Sequence, residues 1–350
     1  MIIFIFYTLA LILNIRGGYA SGDEIGFLSS FSDRDAEASF DWRYFIWTAY
    51  ISSTAKIHPI LPLLTNLLLA CVLISISIKH RLYKPGLALL MLLLPTVFYF
   101  FNGYLRDVFF FITSILLIIL VGKEHRIRPR TFMYICFLWI LVLSMRPFYG
   151  VIYLVAFILS QQCFTKYFRF IFMSIFSAFI MGALLIYIDH EAYNKYFEFF
   201  YYGHLRGKDH IGTLMIPVEN FTQATAAMNF LFSPVYFWFF PVKGFGSTYD
   251  IFLYLENGLI FIIFLLALFS LSFRRLYHDR VFRMAWIVIA LSLFMAVATT
   301  THGDVYRFRL IFLPFLFYLA SCVRFNPVKG TISDFLRVHV KRYNAEGSLK

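Results

Sequence analysis

Long apolar runs separated by short polar stretches fill most of the chain. The runs are Ile2–Ile15, Pro59–Ile78, Leu87–Phe101, Leu105–Val121, Thr131–Leu143, Phe148–Leu159, Phe170–Ile188, Ile251–Phe273, Met284–Thr301 and Leu310–Val323. Several are shorter than the ~20 residues a bilayer span wants. Flanking polar residues and tilt supply the missing length. The pattern predicts an all-α polytopic membrane protein of about ten transmembrane helices. Residues 1–330 form a single integral-membrane domain, and residues 331–350 form a basic tail. The first run has no basic segment before it, and "GYASG" is only a fair cleavage site, so it is expected to remain as a span.

The connectors divide by charge. "KHRLYK" (79–84), "KEHRIRPR" (123–130), "QQCFTKYFR" (161–169), "FRRLYHDRVFR" (273–283) and the tail hold 19 of the 31 Lys and Arg but only 4 of the 19 acids. Ten spans place all of these on one side. The positive-inside rule makes that side cytoplasmic, together with both termini. The opposite side then carries two long external segments, 16–58 and 189–250. Within the second, "NFLFSPVYFWFFPV" (229–242) is apolar but short and contains Pro, which predicts an interfacial or re-entrant piece.

Composition agrees with this picture. The chain of 350 residues is 61% hydrophobic and 14% charged, with a mean hydropathy of +0.75. A soluble domain carries about 25% charged residues. A net charge of +12 would raise nucleic-acid binding in a soluble protein, but here it follows from the basic connectors, and no nucleic-acid partner is expected. The four cysteines lack CxxC spacing and read as buried or cytosolic-side thiols.

Candidate chemistry gathers on the predicted outer face. "ASGDEIGF" (20–27) follows the first span. "NGYLRDVFFF" (102–111), "SMRPFYG" (144–150) and "THGDVYRFR" (301–309) turn hairpins. Arginine beside apolar runs is costly without a partner or water. Arg106, Arg146, Arg307 and Arg309 together suit a phosphate or diphosphate, whose oxygens match the planar guanidinium fork. Asp23, Glu24, Asp107 and Asp304 place carboxylates nearby. This combination fits transfer from a lipid-linked sugar: arginines neutralise the departing phosphate, and Asp23 or Glu24 acts as general base on an acceptor hydroxyl. The loop "YYGHLRGKDHIG" (201–212) offers aromatic faces with His204 and Arg206 for sugar or phosphate. Tyr149, Glu256 and His302 are expected to support the site or the acceptor. The loop histidines have no convincing metal-ligand spacing with carboxylates, so no cofactor is firmly implied and a divalent metal stays open.

These features resemble the GT-C-type polytopic glycosyltransferases, especially the family 39-like proteins of bacterial surface-polysaccharide assembly. The similar stretches are "SGDEIGF", "HPILPLLTNLLLACVLI", "GYLRDVFFFI", "MRPFYG", "NFLFSPVYFWFFP" and "HGDVYRFRLIFLPFLFYLA". The resemblance implies a GT-C-like fold and a polyprenyl-phosphate-linked donor used at the outer face of the inner membrane. The family's acidic pair falls on Asp23 and Glu24, and its closing "RYR" on Arg307 and Arg309, with Phe308 replacing Tyr. The chain departs from the family by lacking a large soluble C-terminal domain. Its size and 45 Phe are also similar to Wzy-type O-antigen or capsule polymerases, which join lipid-diphosphate-linked repeat units on the same face. Both readings expect lipid-linked saccharides, membrane lipids and polysaccharide-assembly proteins as partners. A lipid-glycan flippase, a membrane O-acyltransferase and a non-enzymatic scaffold are the remaining alternatives.

Overall fold

A computed structural model describes residues 8–9, 42–103, 106–122, 128–195, 222–239, 248–271, 273–297 and 302–323. Among these, every regular element is helical and none is a strand. In chain order the helices are α1 (Trp42–Ala55), α2 (Leu61–Lys79), α3 (Pro85–Leu93), α4 (Pro95–Phe101), α5 (Asp107–Gly122), α6 (Pro129–Met145) and α7 (Pro147–Leu159). A 3₁₀ turn (Gln162–Tyr167) then leads into α8 (Phe168–Ile188). The rest are α9 (Gln223–Phe239), α10 (Thr248–Phe269), α11 (Phe273–His278), α12 (Arg280–Val297) and α13 (His302–Ser321). Four stretches are long and apolar enough to cross a membrane: Leu61–Lys79, Gln162–Ile188, Ile251–Phe269 and Arg280–Val297. An 18-residue helix such as α12 spans about 27 Å, close to the ~30 Å hydrocarbon core.

The apolar surplus is used on two sides. Helix α13 is enclosed: Leu310, Phe312, Leu316 and Leu319 have no exposure at all. It packs on α5, α12 and α10. Helices α6, α8 and α10 turn large side chains outward instead, including Phe137, Phe170, Met173 and Ile262. A continuous surface of this kind needs an apolar surround. The backbone of each helix satisfies itself, which is the condition for lying in lipid.

Polar side chains fix the axial position of α13. Ser114 donates to the Ile311 carbonyl at 2.9 Å and also meets the Tyr153 hydroxyl. Tyr83 donates to the Pro314 carbonyl at 2.9 Å, and Tyr318 to Asp279 at 3.0 Å. Lys84 Nζ and Arg275 Nη1 donate to the Val323 and Cys322 carbonyls just beyond the helix end. Cations favour this C-terminal pole of a helix. Arg283, also buried here, donates to the Ser160 and Leu276 carbonyls at 2.9 and 2.7 Å. Residues of two predicted basic connectors, 79–84 and 273–283, therefore meet at the C-terminal end of α13, with Ser160 bordering a third.

The structure corrects three expectations. The run Leu87–Phe101 is two helices, because Leu94 is extended (ψ 134°) before Pro95, as the proline ring requires of its predecessor. The stretch 229–242 was expected to be broken by Pro, yet α9 runs continuously to Phe239 through Pro234. Proline removes the bond to the carbonyl four residues back. Here that carbonyl, of Phe230, accepts the Ser233 hydroxyl at 2.8 Å. Finally, "THGDVYRFR" is not a hairpin turn ahead of the last span, because α13 is helical from His302 onward. Apart from these, the segment 16–58 contains helix α1, outside the predicted apolar runs, which buries Trp47 and Ile51 and packs on α2 and α6.

Candidate active site

Three of the expected arginines meet one carboxylate. Asp107 opens α5 and is fully buried. Its Oδ2 accepts Arg307 Nε at 3.0 Å, and its Oδ1 lies 3.5 Å from Arg146 Nη2. Arg106, the residue before Asp107, lies within electrostatic range of it and reaches the Met145 carbonyl at 3.5 Å. One negative charge thus faces three positive ones. Both Arg146 and Arg307 keep about a fifth of their side chains exposed (18% and 20%), so the cluster is reachable from outside the bundle.

Local sequence explains the placement. Arg146 joins α6 to α7 and is extended (φ −147°, ψ 94°) before Pro147. The two helices then pack tightly, since a Cβ on Gly150 would lie 2.6 Å from Leu143 Cα. Trp139 Nε1 locks the same hairpin by donating to the Gly150 carbonyl at 2.8 Å. The Arg146 guanidinium lies 5.3 Å from the Phe308 ring centre and 5.7 Å from that of Tyr149, within cation–π range. Tyr149 is buried among Phe110, Phe308 and Phe312. Its hydroxyl has no partner, and neither does the buried Arg146 Nε. Buried donors without partners are uncommon, and two beside surplus positive charge suit a bound oxyanion.

Arg309 belongs elsewhere. Residues two apart on a helix point about 200° apart, so Arg309 faces away from Arg307. Its Nη2 lies 3.0 Å from Glu256 Oε1, and both side chains have zero exposure. Its Nη1 donates to Asn257 Oδ1 at 2.7 Å and to the Trp238 carbonyl at 3.2 Å. The other Glu256 oxygen accepts the Thr96 N–H at 2.7 Å, at the start of α4. This sealed network joins α4, α9, α10 and α13. Arg309 and Glu256 act there as internal fasteners, whereas the sequence grouped them with the phosphate and acceptor ligands.

Asp107 is likewise an organiser: fully buried and bonded to two guanidiniums, it has no free edge for an acceptor. Asp23, Glu24, His204 and Arg206 lie outside the described residues. The backbones of His302 and Asp304 begin α13, and their side chains lie outside the description. Among the described residues no group of three or more His, Cys, Asp or Glu gathers to hold a metal. Sequence reasoning missed the pairing of Glu256 with Arg309, although a lone acid and a lone arginine in two apolar runs are a recognisable sign of partnership. Comparison of the chain with family models, curated proteins and solved structures finds no match in any of the three.

Proposed function

We propose that the protein is a membrane glycosyltransferase of cell-surface polysaccharide assembly, acting on polyprenyl-(di)phosphate-linked sugars at the external face of the plasma (inner) membrane. The observation that carries this reading is the meeting of Arg106, Arg146 and Arg307 around Asp107, which leaves surplus positive charge at one end of the bundle. Such a cluster neutralises charge that builds on a departing phosphate. The basic residues at the opposite end support an external position for the cluster under the positive-inside rule. Ten spans with both termini cytoplasmic complete this topology. Asp23 or Glu24 remains the proposed general base. Repeat-unit polymerisation of the Wzy type uses the same clamp and differs in the size of the transferred saccharide.

A second reading, a lipid-linked glycan transporter, draws on one specific feature. The break between α3 and α4 starts a half-helix whose Thr96 N–H meets the buried Glu256, and broken helices with buried charge occur at transporter sites. Gene deletion followed by gel analysis of surface polysaccharide separates the readings. A single repeat unit on its anchor means polymerase, and a truncated unit means sugar transfer. Complete lipid-linked units trapped on the inner face mean transport. Unchanged polysaccharide refutes all three.

A further inference from the structure

We infer that the basic end of α2 is a docking surface for an anionic glycerophospholipid, whose phosphate sits on Lys79 and Arg81. This surface lies at the opposite end of the bundle from the arginine cluster and does not depend on the reaction assigned there.

The backbone gives the first sign. Helix α2 closes with the His80, Arg81 and Leu82 N–H groups donating to the Ile76, Ile78 and Ser77 carbonyls, each at 2.9 Å. The bond from Leu82 encloses the one from Arg81, which is the Schellman closure of a helix. The residue after the cap then takes a left-handed backbone, and glycine is the usual occupant. Here it is Arg81, at φ 57°, the one non-glycine residue with positive φ among the described residues. A long cation kept at a strained position points to a use for its side chain. Leu82 fixes the turn at the junction of α5 and α12, where a Cβ on Gly122 would lie 2.8 Å from Leu82 and 3.2 Å from Val281.

Charge gives the sign of the partner. Lys79, Arg81, Lys84, Arg275, Arg280 and Arg283 stand at this end against Asp279 among the described acids. Asp279 is already taken by the Tyr318 hydroxyl and the Phe282 N–H, both at 3.0 Å. Lys84 and Arg275 serve backbone carbonyls and neutralise no carboxylate. Lys79 and Arg81 are exposed, and neither forms an ion pair with a described acid. The complement to this surface is therefore an anion.

Position selects a lipid. Helix α2 is long and apolar enough to cross a membrane and ends at Lys79, so Arg81 stands just past the hydrocarbon. Leu68, Val72, Ser75 and Lys79 are all exposed and recur at i, i+4, i+7 and i+11, which is one face of a helix. From Leu68 to Lys79 is about 16 Å, roughly one leaflet of the ~30 Å hydrocarbon core. An acyl chain lying on this face brings its head to Lys79 and Arg81. The guanidinium fork matches phosphate oxygens, and the surplus of cations favours a lipid of net negative charge over a zwitterionic one.

The test titrates the full-length protein in detergent micelles with phosphatidylglycerol, phosphatidylcholine, glycerophosphoglycerol and a polyglutamate peptide, and counts bound molecules by native mass spectrometry. Phosphatidylglycerol should bind at least about fivefold tighter than phosphatidylcholine, the scale of one cation near an anionic surface. Arg81→Gly should lose that preference yet melt no lower than the parent, since glycine relieves the left-handed residue. Lys79→Gln should repeat the loss, and it decides alone if Arg81→Gly melts lower. Lys166→Gln, at an exposed cation of the 3₁₀ turn, should keep the parent affinity. Unchanged phosphatidylglycerol affinity in a deciding variant, or an equal loss in Lys166→Gln, overturns the site. Equal binding of the two phospholipids overturns the charge selection. Glycerophosphoglycerol binding as tightly as phosphatidylglycerol makes this a site for a free phosphodiester and overturns the lipid assignment. Arg81-dependent binding of polyglutamate without any lipid preference makes it a surface for an acidic protein and overturns it equally.

Discussion

The Arg309–Glu256 pair offers a direct test of how the bundle is held together. Its charges are 3.0 Å apart and have no exposure. At an effective dielectric of 20, unit charges about 4 Å apart attract by about 4 kcal/mol. Removing one partner leaves the other charged and buried, which costs about 3–5 kcal/mol. Arg309→Met should lose that amount, because Glu256 Oε1 and the Trp238 carbonyl lose their donor together. Glu256→Leu should lose a similar amount, because the Arg309 guanidinium is then buried without its carboxylate and the Thr96 N–H loses its acceptor. The double variant Arg309→Met/Glu256→Leu removes both charges and should fall well short of the summed losses. The orphaned Thr96 N–H alone costs about 1–3 kcal/mol. Denaturant unfolding in micelles, followed by tryptophan fluorescence, measures the cycle. A coupling of about 2 kcal/mol or more is expected. Additive effects, or a cost below about 1 kcal/mol for Arg309→Met, would refute the sealed pair.

Three further outcomes are expected. Arg146→Ala and Arg307→Ala should each weaken pyrophosphate binding at least tenfold by calorimetry, the worth of about 1.4 kcal/mol and within the range for a charged hydrogen bond. Arg307→Lys should recover only part of it, because the fork is lost. Ser233→Ala should cost about 1 kcal/mol of stability but almost nothing in a Pro234→Ala background, where the restored N–H serves the Phe230 carbonyl; equal costs in both backgrounds would exclude that role. Cys163, exposed in the 3₁₀ turn, should react with a membrane-impermeant maleimide in inverted vesicles and not in intact cells, and labelling of intact cells would reverse the proposed topology.

Much of the helix layout was legible in the sequence, because a helix that satisfies its own backbone in lipid leaves a long apolar run as its trace. The runs marking α2, α5, α6, α7, α8, α10 and α12 coincide with helices for that reason. The effect of each proline was not legible. Pro234 and Pro314 lie inside helices, whereas Pro95 starts a new one. The outcome depends on who serves the freed backbone groups. For Pro234 it is the neighbouring Ser233 hydroxyl, a local partner. For Pro95 it is Glu256, 160 residues away, which caps the Thr96 N–H. The central burial of α13 was hidden too, since a helix apolar all round carries no stripe to show which neighbours cover it.

The candidate site was readable as a set of residues but not as two sets. Arg307 and Arg309 share a tripeptide with Phe308, and in linear order they look like one motif. The helical period sends them to opposite faces, one to Asp107 and the other to Glu256. The division has a mechanical consequence. With Asp107 on one side of α13 and Glu256 on the other, the helix cannot rotate without breaking an ion pair. Ser114 and Tyr83 also hold its carbonyls against sliding. Arg307 is therefore presented from a fixed helix, and Asp107 holds it and Arg146 in register before any ligand arrives. Electrostatic catalysis depends on donors that need no rearrangement as charge develops. In this arrangement the buried carboxylate removes one of three positive charges, and that loss is the cost of fixing the other two where an incoming phosphate would meet them.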